Sequence, residues 1–239
     1  IQSFAEDAQA TTANPLEEVT RSSQRAAPTT PAFKQWFGDS QVVDDSGQPL
    51  VVYHGTTMDY DFKEFTPYDT NLGIHVGTSA QANDFAKFED GVDSANVDDA
   101  GVRVFPLYIK LERPLRLLDG GSGAWANDNT GQQLFELGIL DESIYENSDN
   151  LEMEDYGQEM VSAIKAAGYD GIVYLNRREG SIDPDEAAGF NSLSDKQFKL
   201  KFKEAADSYI VFEPSQIKSA IGNNGEYSQT NNNITKSSQ

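Results

Sequence analysis

The chain has no cysteine in 239 residues, which removes disulfides, thiolate metal sites and cysteine nucleophiles together. Histidine is nearly absent too, at two residues. With no thiolate and no His-Glu spacing, a zinc site has no ligand set, so no metal is expected. Positive charge is scarce: 18 Lys and Arg face 39 Asp and Glu, a net charge of −21. A polyanion forgoes the counterion release that supplies most non-specific affinity for DNA or RNA, which argues against nucleic acid as a partner. The acidity itself reads as solubility. No apolar run approaches the ~20 residues that span a bilayer, and no charged-then-apolar leader opens the chain, so no membrane association is expected. The sequence begins at Ile1, which reads as a piece excised from a longer protein. Lack of cysteine suits a reducing cytoplasm.

With 38% hydrophobic residues and a mean hydropathy of −0.56, there is room for one ordinary domain between polar flanks. Residues 1–30, rich in Ala, Thr, Ser, Gln and Glu without periodicity, read as a disordered linker, and residues 228–239 as a disordered polar tail. The folded domain is expected over 31–227. Thr30-Pro31 reads as an N-cap with proline at the first helical position, and Gly38 closes that helix. Gln41–Val43 and Leu50–His54 flank Asp44-Asp45-Ser46-Gly47 as a hairpin. Ser79 is placed to cap a helix carrying Ala82, Phe85, Ala86 and Phe88 on one side. Strands are expected at Val102–Leu111, Leu115–Leu118, Gly171–Leu175 and Ser208–Phe212. Helices are expected at Gly131–Leu137 and Tyr156–Ala167, the second stopped by Gly168.

Phe198, Leu200 and Phe202 alternate with Lys199, Lys201 and Lys203, the period of a half-exposed strand with a lysine-blunted edge. The acids from Asp141 to Glu159 lack the ligand spacing of a calcium loop and read as a solvated acidic loop. Asp119-Gly120-Gly121-Ser122-Gly123 reads as a flexible turn. Short strands with helices between some of them make an α+β domain on a mostly antiparallel sheet.

Both histidines stand in Gly-Thr contexts, Tyr53-His54-Gly55-Thr56 and Gly73-Ile74-His75-Val76-Gly77-Thr78. Histidine donates, accepts or shuttles a proton near neutral pH. A strand ending in His54-Gly55 puts an imidazole beside backbone that a ligand can approach closely. Gly73 and Gly77 give His75 a second such turn, leading into a helix N-terminus that favours negative charge.

These two phrases, followed by Asp207-Ser208-Tyr209-Ile210-Val211-Phe212, resemble the ADP-ribosyltransferase superfamily. The nearest likeness is to the ADP-ribosyltransferase domain of phage and mobile-element polyvalent proteins. Phrases matching Gly38-Asp39-Ser40, Tyr53-His54-Gly55-Thr56, Tyr169-Asp170-Gly171-Ile172-Val173, Asn176-Arg177-Arg178-Glu179-Gly180 and Asp207 through Ser219 recur there in the same order, over about residues 33–225.

The resemblance implies a split antiparallel β-sheet with peripheral helices and NAD as substrate in the cleft. By it, His54 bonds the adenosine-side ribose and Gly55 holds the nicotinamide carboxamide through its backbone. His75 takes the place of a tyrosine that stacks on nicotinamide in many members. The implied binding set is Tyr53, His54, Gly55, Thr56, Gly73, His75 and Ser208, and the implied catalytic set His54, His75 and Glu179. The implied reaction is mono-ADP-ribosyl transfer to a macromolecular acceptor, a host protein in the cytoplasm of a bacterium reached from a phage virion.

Ser208 stands where the poly-ADP-ribose polymerase branch has a glutamate. A carboxylate can stabilise an oxocarbenium-like state at the anomeric carbon and orient the acceptor. Glu179 on its turn, Asp207 one residue upstream on the other strand face, and Glu213 past the strand end are the replacements at hand, with Glu179 favoured. Two other readings stand beside this one: a binding module that keeps the fold without activity, and an enzyme like the NAD-dependent RNA 2′-phosphotransferases, which use paired histidines without a catalytic acid.

Overall fold

A proline fixed in the first helical turn starts the first helix. The computed structural model describes residues 27–56, 63–67, 69–88, 103–119, 124–180, 182–223, 225 and 227–235, without the side chains of 85–88 and 184. Expectations for residues 1–26, 120–123 and 236–239, and for the side chains of Phe85, Ala86 and Phe88, lie outside the described residues. Helix α1 (Pro31–Phe37) is capped by the Thr30 hydroxyl and ends at Gly38 with φ +56°. Its Phe33, Trp36 and Phe37 pack on Tyr108, with Phe33 edge-on to that ring at 5.0 Å.

The strands in chain order are β1 (Val52–Thr56), β2 (Ile74–Val76), β3 (Arg103–Ile109), β4 (Pro114–Arg116), β5 (Gly171–Leu175), β6 (Asp207–Val211) and β7 (Ile217–Ser219). They form two sheets, ordered β1-β3-β7 and β2-β6-β5-β4, antiparallel except for the parallel β4–β5 pair. The helices after α1 are α2 (Ser79–Phe88), α3 (Asp128–Glu136), α4 (Glu142–Tyr145), α5 (Met153–Ala166), α6 (Pro184–Ala188) and α7 (Asp195–Lys201).

Val52, Leu107, Ile109 and Ile217 of the three-stranded sheet meet Ile74, Val76, Tyr209 and Val211 of the four-stranded sheet in one core. The second core lies between the four-stranded sheet and the helices, with Ile172, Ile210 and Leu115 against Leu134, Met160 and Ile164. Each strand thus buries apolar side chains against a partner layer, the condition for a stable two-layer unit. This is the α+β architecture of a split antiparallel sheet with peripheral helices.

One antiparallel bridge, Tyr53 to Gly77, joins the two sheets along their edges, with N···O distances of 2.8 and 2.9 Å. After it β1 and β2 part. Helix α2 seats against β1 at Gly55, where a Cβ would stand 1.7 Å from the Ala82 carbonyl oxygen. Only glycine allows that approach.

Several expectations are corrected. Residues 195–201 are helix α7 and not a strand. Ser194 and Gln197 form a capping box, and Phe198 and Phe202, four residues apart, stack at 4.5 Å. The apolar period there is one helical turn, so the lysines do not line a strand edge. The helix after β2 is capped by Thr78, whose hydroxyl accepts from Gln81 N at 3.2 Å, and not by Ser79. The expected hairpin reduces to a Val43–Pro49 bridge around an Asp44 turn, because β1 takes β3 as its partner. The acidic stretch 141–159 is largely helical: Asp141 caps α4, and Glu154 and Asp155 occupy the first turn of α5, where negative charge suits the helix dipole.

The polar tail also differs, since residues 228–235 pack on the domain. Ile234 is buried in the inter-sheet core; its carbonyl accepts from Ser219 N at 2.9 Å and its N–H donates to Lys63 O at 2.8 Å. Lys218, itself buried, donates through Nζ to the carbonyls of Asn231 and Asn233 at 2.5 and 3.3 Å. A lone isoleucine in a polar run gives no period, and the acceptors that a buried ammonium demands are backbone atoms, which composition does not show.

Ile234→Ala is expected to cost about 2–4 kcal/mol of stability, read from urea unfolding; an unchanged midpoint would return the segment to a loose tail. Burial holds the Lys218 ammonium down to about 8 from an ordinary 10.5. The unfolded chain therefore binds more protons between those values, and the folded state gains stability as pH rises above 8. The parent should rise relative to Lys218→Met over pH 8–9.5; parallel curves would refute the shift.

Candidate functional site

The site forms where β1 and β2 part. His54 Nδ1 lies 2.8 Å from the His75 carbonyl oxygen. A carbonyl only accepts, so Nδ1 carries the proton and donates. Burial holds His54 below the ordinary imidazole pKa, so the ring is neutral and Nε2 presents a bare lone pair. That nitrogen has no partner among the described residues. Phe65 stands edge-on to the ring at 4.9 Å and fixes its plane.

His75 is held at both nitrogens. Nε2 donates to the Asn71 carbonyl at 2.9 Å, and burial pushes the ring down to about 4. A neutral ring protonated at Nε2 leaves Nδ1 to accept, so the Tyr174 hydroxyl, 3.2 Å away, donates to it. Trp125 completes the aromatic wall, 6.0 Å from His75 and 4.5 Å from Tyr174 between ring centres. Burial raises the Tyr174 hydroxyl well above its usual range, and nearby Glu179 and Asp119 add to that.

Tyr174 lies directly across from Ser208 in the β5–β6 register. Ser208, 3% exposed, donates to Gln81 Oε1 at 3.1 Å and accepts from Asn176 Nδ2 at 3.0 Å. Asn176, 2% exposed, gives its other N–H to the Glu179 carboxylate. Its Oδ1 accepts from the backbone N–H of Arg178 and of Glu179, both at 3.0 Å. All four hydrogen-bonding positions of that amide are filled, which leaves one orientation. Gln81 is fixed in turn by Thr78 N at 2.7 Å and the Ala206 carbonyl at 3.0 Å. Gly77 lets this cluster close, since a Cβ there would lie 2.7 Å from Ser208 Oγ.

Glu179 therefore joins the strand position of Ser208 through one side chain, Asn176. Burial raises its pKa, opposed by the Asn176 hydrogen bond, while Asp119 and Asp84 push it up further. The other two acids lie elsewhere. Asp207 pairs with Arg116 at 2.8 Å and Glu213 with Lys165 at 2.6 Å.

Of the residues singled out in the sequence, His54 is bonded to His75 and Ser208 is joined to Glu179 through Asn176, and the two pairs adjoin at the Tyr174–Ser208 register position. Gly55 and Gly77 shape the walls, while Tyr53 supplies the bridge backbone. Thr56 is buried at the end of β1, and Gly73 lies against β6, where a Cβ would stand 2.4 Å from the Val211 carbonyl oxygen. Tyr174, Trp125, Asn71 and Gln81 were not anticipated. The pattern Thr78-Ser79-Ala80-Gln81 was the legible signal for Gln81, as a capping pair. Among the described residues no group of three or more His, Cys, Asp or Glu could hold a metal, and no helix is long and apolar enough to cross a membrane.

The two sheets thus part at a histidine-glycine strand end, with a second histidine beside it. The family model for the ADP-ribosyltransferase in polyvalent proteins matches residues 44–227, and the chain belongs to that family. No curated protein and no solved structure matches it.

Because His75 is near 4 in the folded chain and near 6.5 when unfolded, the unfolded state binds more protons between those values. Stability that is full above pH 6.5 is lost as pH falls toward 4. His75→Gln should remove that part of the acid limb in urea midpoints. Nitrogen-15 spectra at neutral pH should show the His75 proton on Nε2; a ring titrating near 6.5 would break the hydrogen-bond assignment.

Proposed function

We propose that the domain is a mono-ADP-ribosyltransferase that uses NAD and modifies a protein. The observation that carries this is the His54 ring, locked as a neutral acceptor at the mouth of the parted strands, with the half-buried Glu179 carboxylate tied through Asn176 to Ser208 of β6. A bare Nε2 suits a ribose hydroxyl donor. Tyr53 bonds Gly77 through its own N–H and C=O, so strand alternation turns the N–H and C=O of Gly55 to that same edge. A carboxamide needs one such donor and one acceptor side by side. These features suit the ribose hydroxyls and the carboxamide of NAD.

In the reaction, the bond between ribose C1′ and the nicotinamide nitrogen breaks, and nicotinamide leaves with the electron pair. A nucleophilic side chain of the acceptor forms the new bond at C1′ and gives up a proton. Glu179 is the group to stabilise the positive charge growing on the ribose and to align the acceptor. Asn176 and Ser208 act through it, as positioning residues. His75 and Tyr174, uncharged at neutral pH, shape the aromatic side of the pocket. The setting most consistent with the family is a polyvalent protein that enters a bacterial cytoplasm with phage or mobile-element DNA and modifies a host protein there.

His54→Ala should abolish NAD-dependent thermal stabilisation while leaving the protein without NAD folded. Equal stabilisation of variant and parent would remove His54 from the site. Glu179→Gln should lower nicotinamide release by about 10²–10³ with NAD affinity little changed, since the ground state lacks the developing charge. Asn176→Ala should follow it in rate. If the parent binds NAD and releases no nicotinamide, the binding-module reading replaces this one.

A further inference from the structure

The densest run of lysine on this acidic chain lies along α7 and just beyond its end. Four of its 11 lysines, Lys196, Lys199, Lys201 and Lys203, fall within eight residues. Lys201 is engaged, pairing with Glu186 at 3.2 Å and lying over Phe190 at 4.4 Å. Lys196, Lys199 and Lys203 are exposed and form no ion pair among the described residues. Lys196, Lys199 and Leu200 are spaced i, i+3, i+4 and share the outward face of α7. Leu200 is 72% exposed, more than any other exposed large hydrophobic side chain of the described residues. A leucine ringed by unpaired lysines is the composition of a contact with an apolar centre and a charged rim.

The opposite face of α7 is tied to the candidate catalytic turn. Arg177, 1% exposed and two residues from Glu179, donates to the carbonyls of Asn191 and Leu193 and to Asp195, each at 2.9 Å. Its guanidinium lies 4.7 Å over the ring of Phe198. Leu175, Ile182, Ala187, Phe198, Phe202 and Ala205 pack as one cluster beneath. Whatever binds the outward face is therefore held in fixed relation to Glu179.

We propose that the outward face of α7, Lys196, Lys199 and Leu200 with Lys203 just beyond it, docks an acidic polypeptide surface. Its identity as the acceptor of ADP-ribose rests on the transferase reading above; the docking itself does not. Charge complementarity carries the choice of partner. A chain of net charge −21 repels acidic proteins over most of its surface, so a local lysine face steers them to one orientation. Nucleic acid fits less well: phosphate gains nothing from Leu200, and the whole-chain charge opposes a long polyanion.

The test uses the full chain and a fluorescent random copolymer of glutamate and tyrosine, with binding read by anisotropy without NAD at low and at physiological salt. The parent should bind, more weakly as salt rises. Lys199→Glu should weaken binding roughly fivefold or more, and Leu200→Ser by a similar factor. Lys34→Glu, the same charge change on α1, should change it by less than half as much. No binding by the parent, or equal loss in Lys34→Glu and Lys199→Glu, overturns the proposal. So does tighter binding of a single-stranded RNA oligomer that Lys199→Glu abolishes. Nicotinamide release is measured in parallel and should be unchanged in Lys199→Glu. Docking without nicotinamide release refutes the transferase reading and keeps the surface; release without docking does the reverse.

Discussion

The parting of β1 from β2 after a single bridge governs the rest of the site. If the two strands continued to pair, Gly55 would come to lie opposite His75, and their backbone groups would satisfy one another. Instead the His75 carbonyl takes its proton from the His54 side chain. The strand edge at Gly55 is then left facing the gap. Two features hold this geometry. Helix α2 sits against Gly55 too closely for any side chain, and the inter-sheet core clamps both strands by Val52, Ile74 and Val76. The imidazole is a spacer as much as a ligand group: it satisfies a buried carbonyl that would otherwise cost about 1–3 kcal/mol and keeps the strands from closing.

A consequence follows for protonation. Carbonyls at Asn71 and His75 can only accept, so they fix which nitrogen of each histidine carries hydrogen. That choice propagates. His75 must accept from Tyr174, and Ser208, which donates to Gln81, must accept from Asn176. Two hydrogen-bonded groups of fixed direction result, His54 through His75 to Tyr174 and Gln81 through Ser208 and Asn176 to Glu179, and they adjoin where Tyr174 stands across from Ser208. Burial keeps both histidines neutral, so no member of either group besides Glu179 carries charge at neutral pH. On the transferase reading, the Glu179 carboxylate beside Asn176 is the group whose charge acts on the substrate.

Much of this architecture is legible in the sequence, because its signals are local. Proline after threonine started α1, glycine after a helix stopped α5, and apolar runs marked β5 and β6. The two histidine phrases named their own strands. What was not legible rests on competing local patterns in one case and on partners far along the chain in the others. Alternation of Phe198, Leu200 and Phe202 imitates a strand over five residues. The Ser194–Gln197 cap and the Phe198–Phe202 stack one helical turn apart decide for a helix, and here the competing signals are all local. Ile234 joins the core through a bond to Lys63, far earlier in the chain. Tyr174 reads as one more apolar residue of a buried strand until Ser208 is placed across from it.

On the transferase reading proposed above, serine at 208 in place of a glutamate amounts to a relocation of the carboxylate to Glu179. A carboxylate on a strand inherits rigidity from the sheet ladder; one on a turn does not. Here the turn is given rigidity from two sides. Asn176, with every hydrogen-bonding position filled, fixes the carboxylate relative to β6. Arg177 anchors the next residue, its N–H on Asp119 at 2.8 Å and its guanidinium on the carbonyls before α7. The segment 182–205 then has a mechanical reason to exist apart from any partner, because it supplies the acceptors that Arg177 grips. Serine is the side chain such an arrangement needs at 208: small enough to leave Asn176 room, and able to donate to Gln81 while accepting from Asn176. Alanine would leave the Asn176 amide short of an acceptor, and a glutamate there would bring a second carboxylate toward Glu179, which burial, Asp119 and Asp84 already press toward its protonated form.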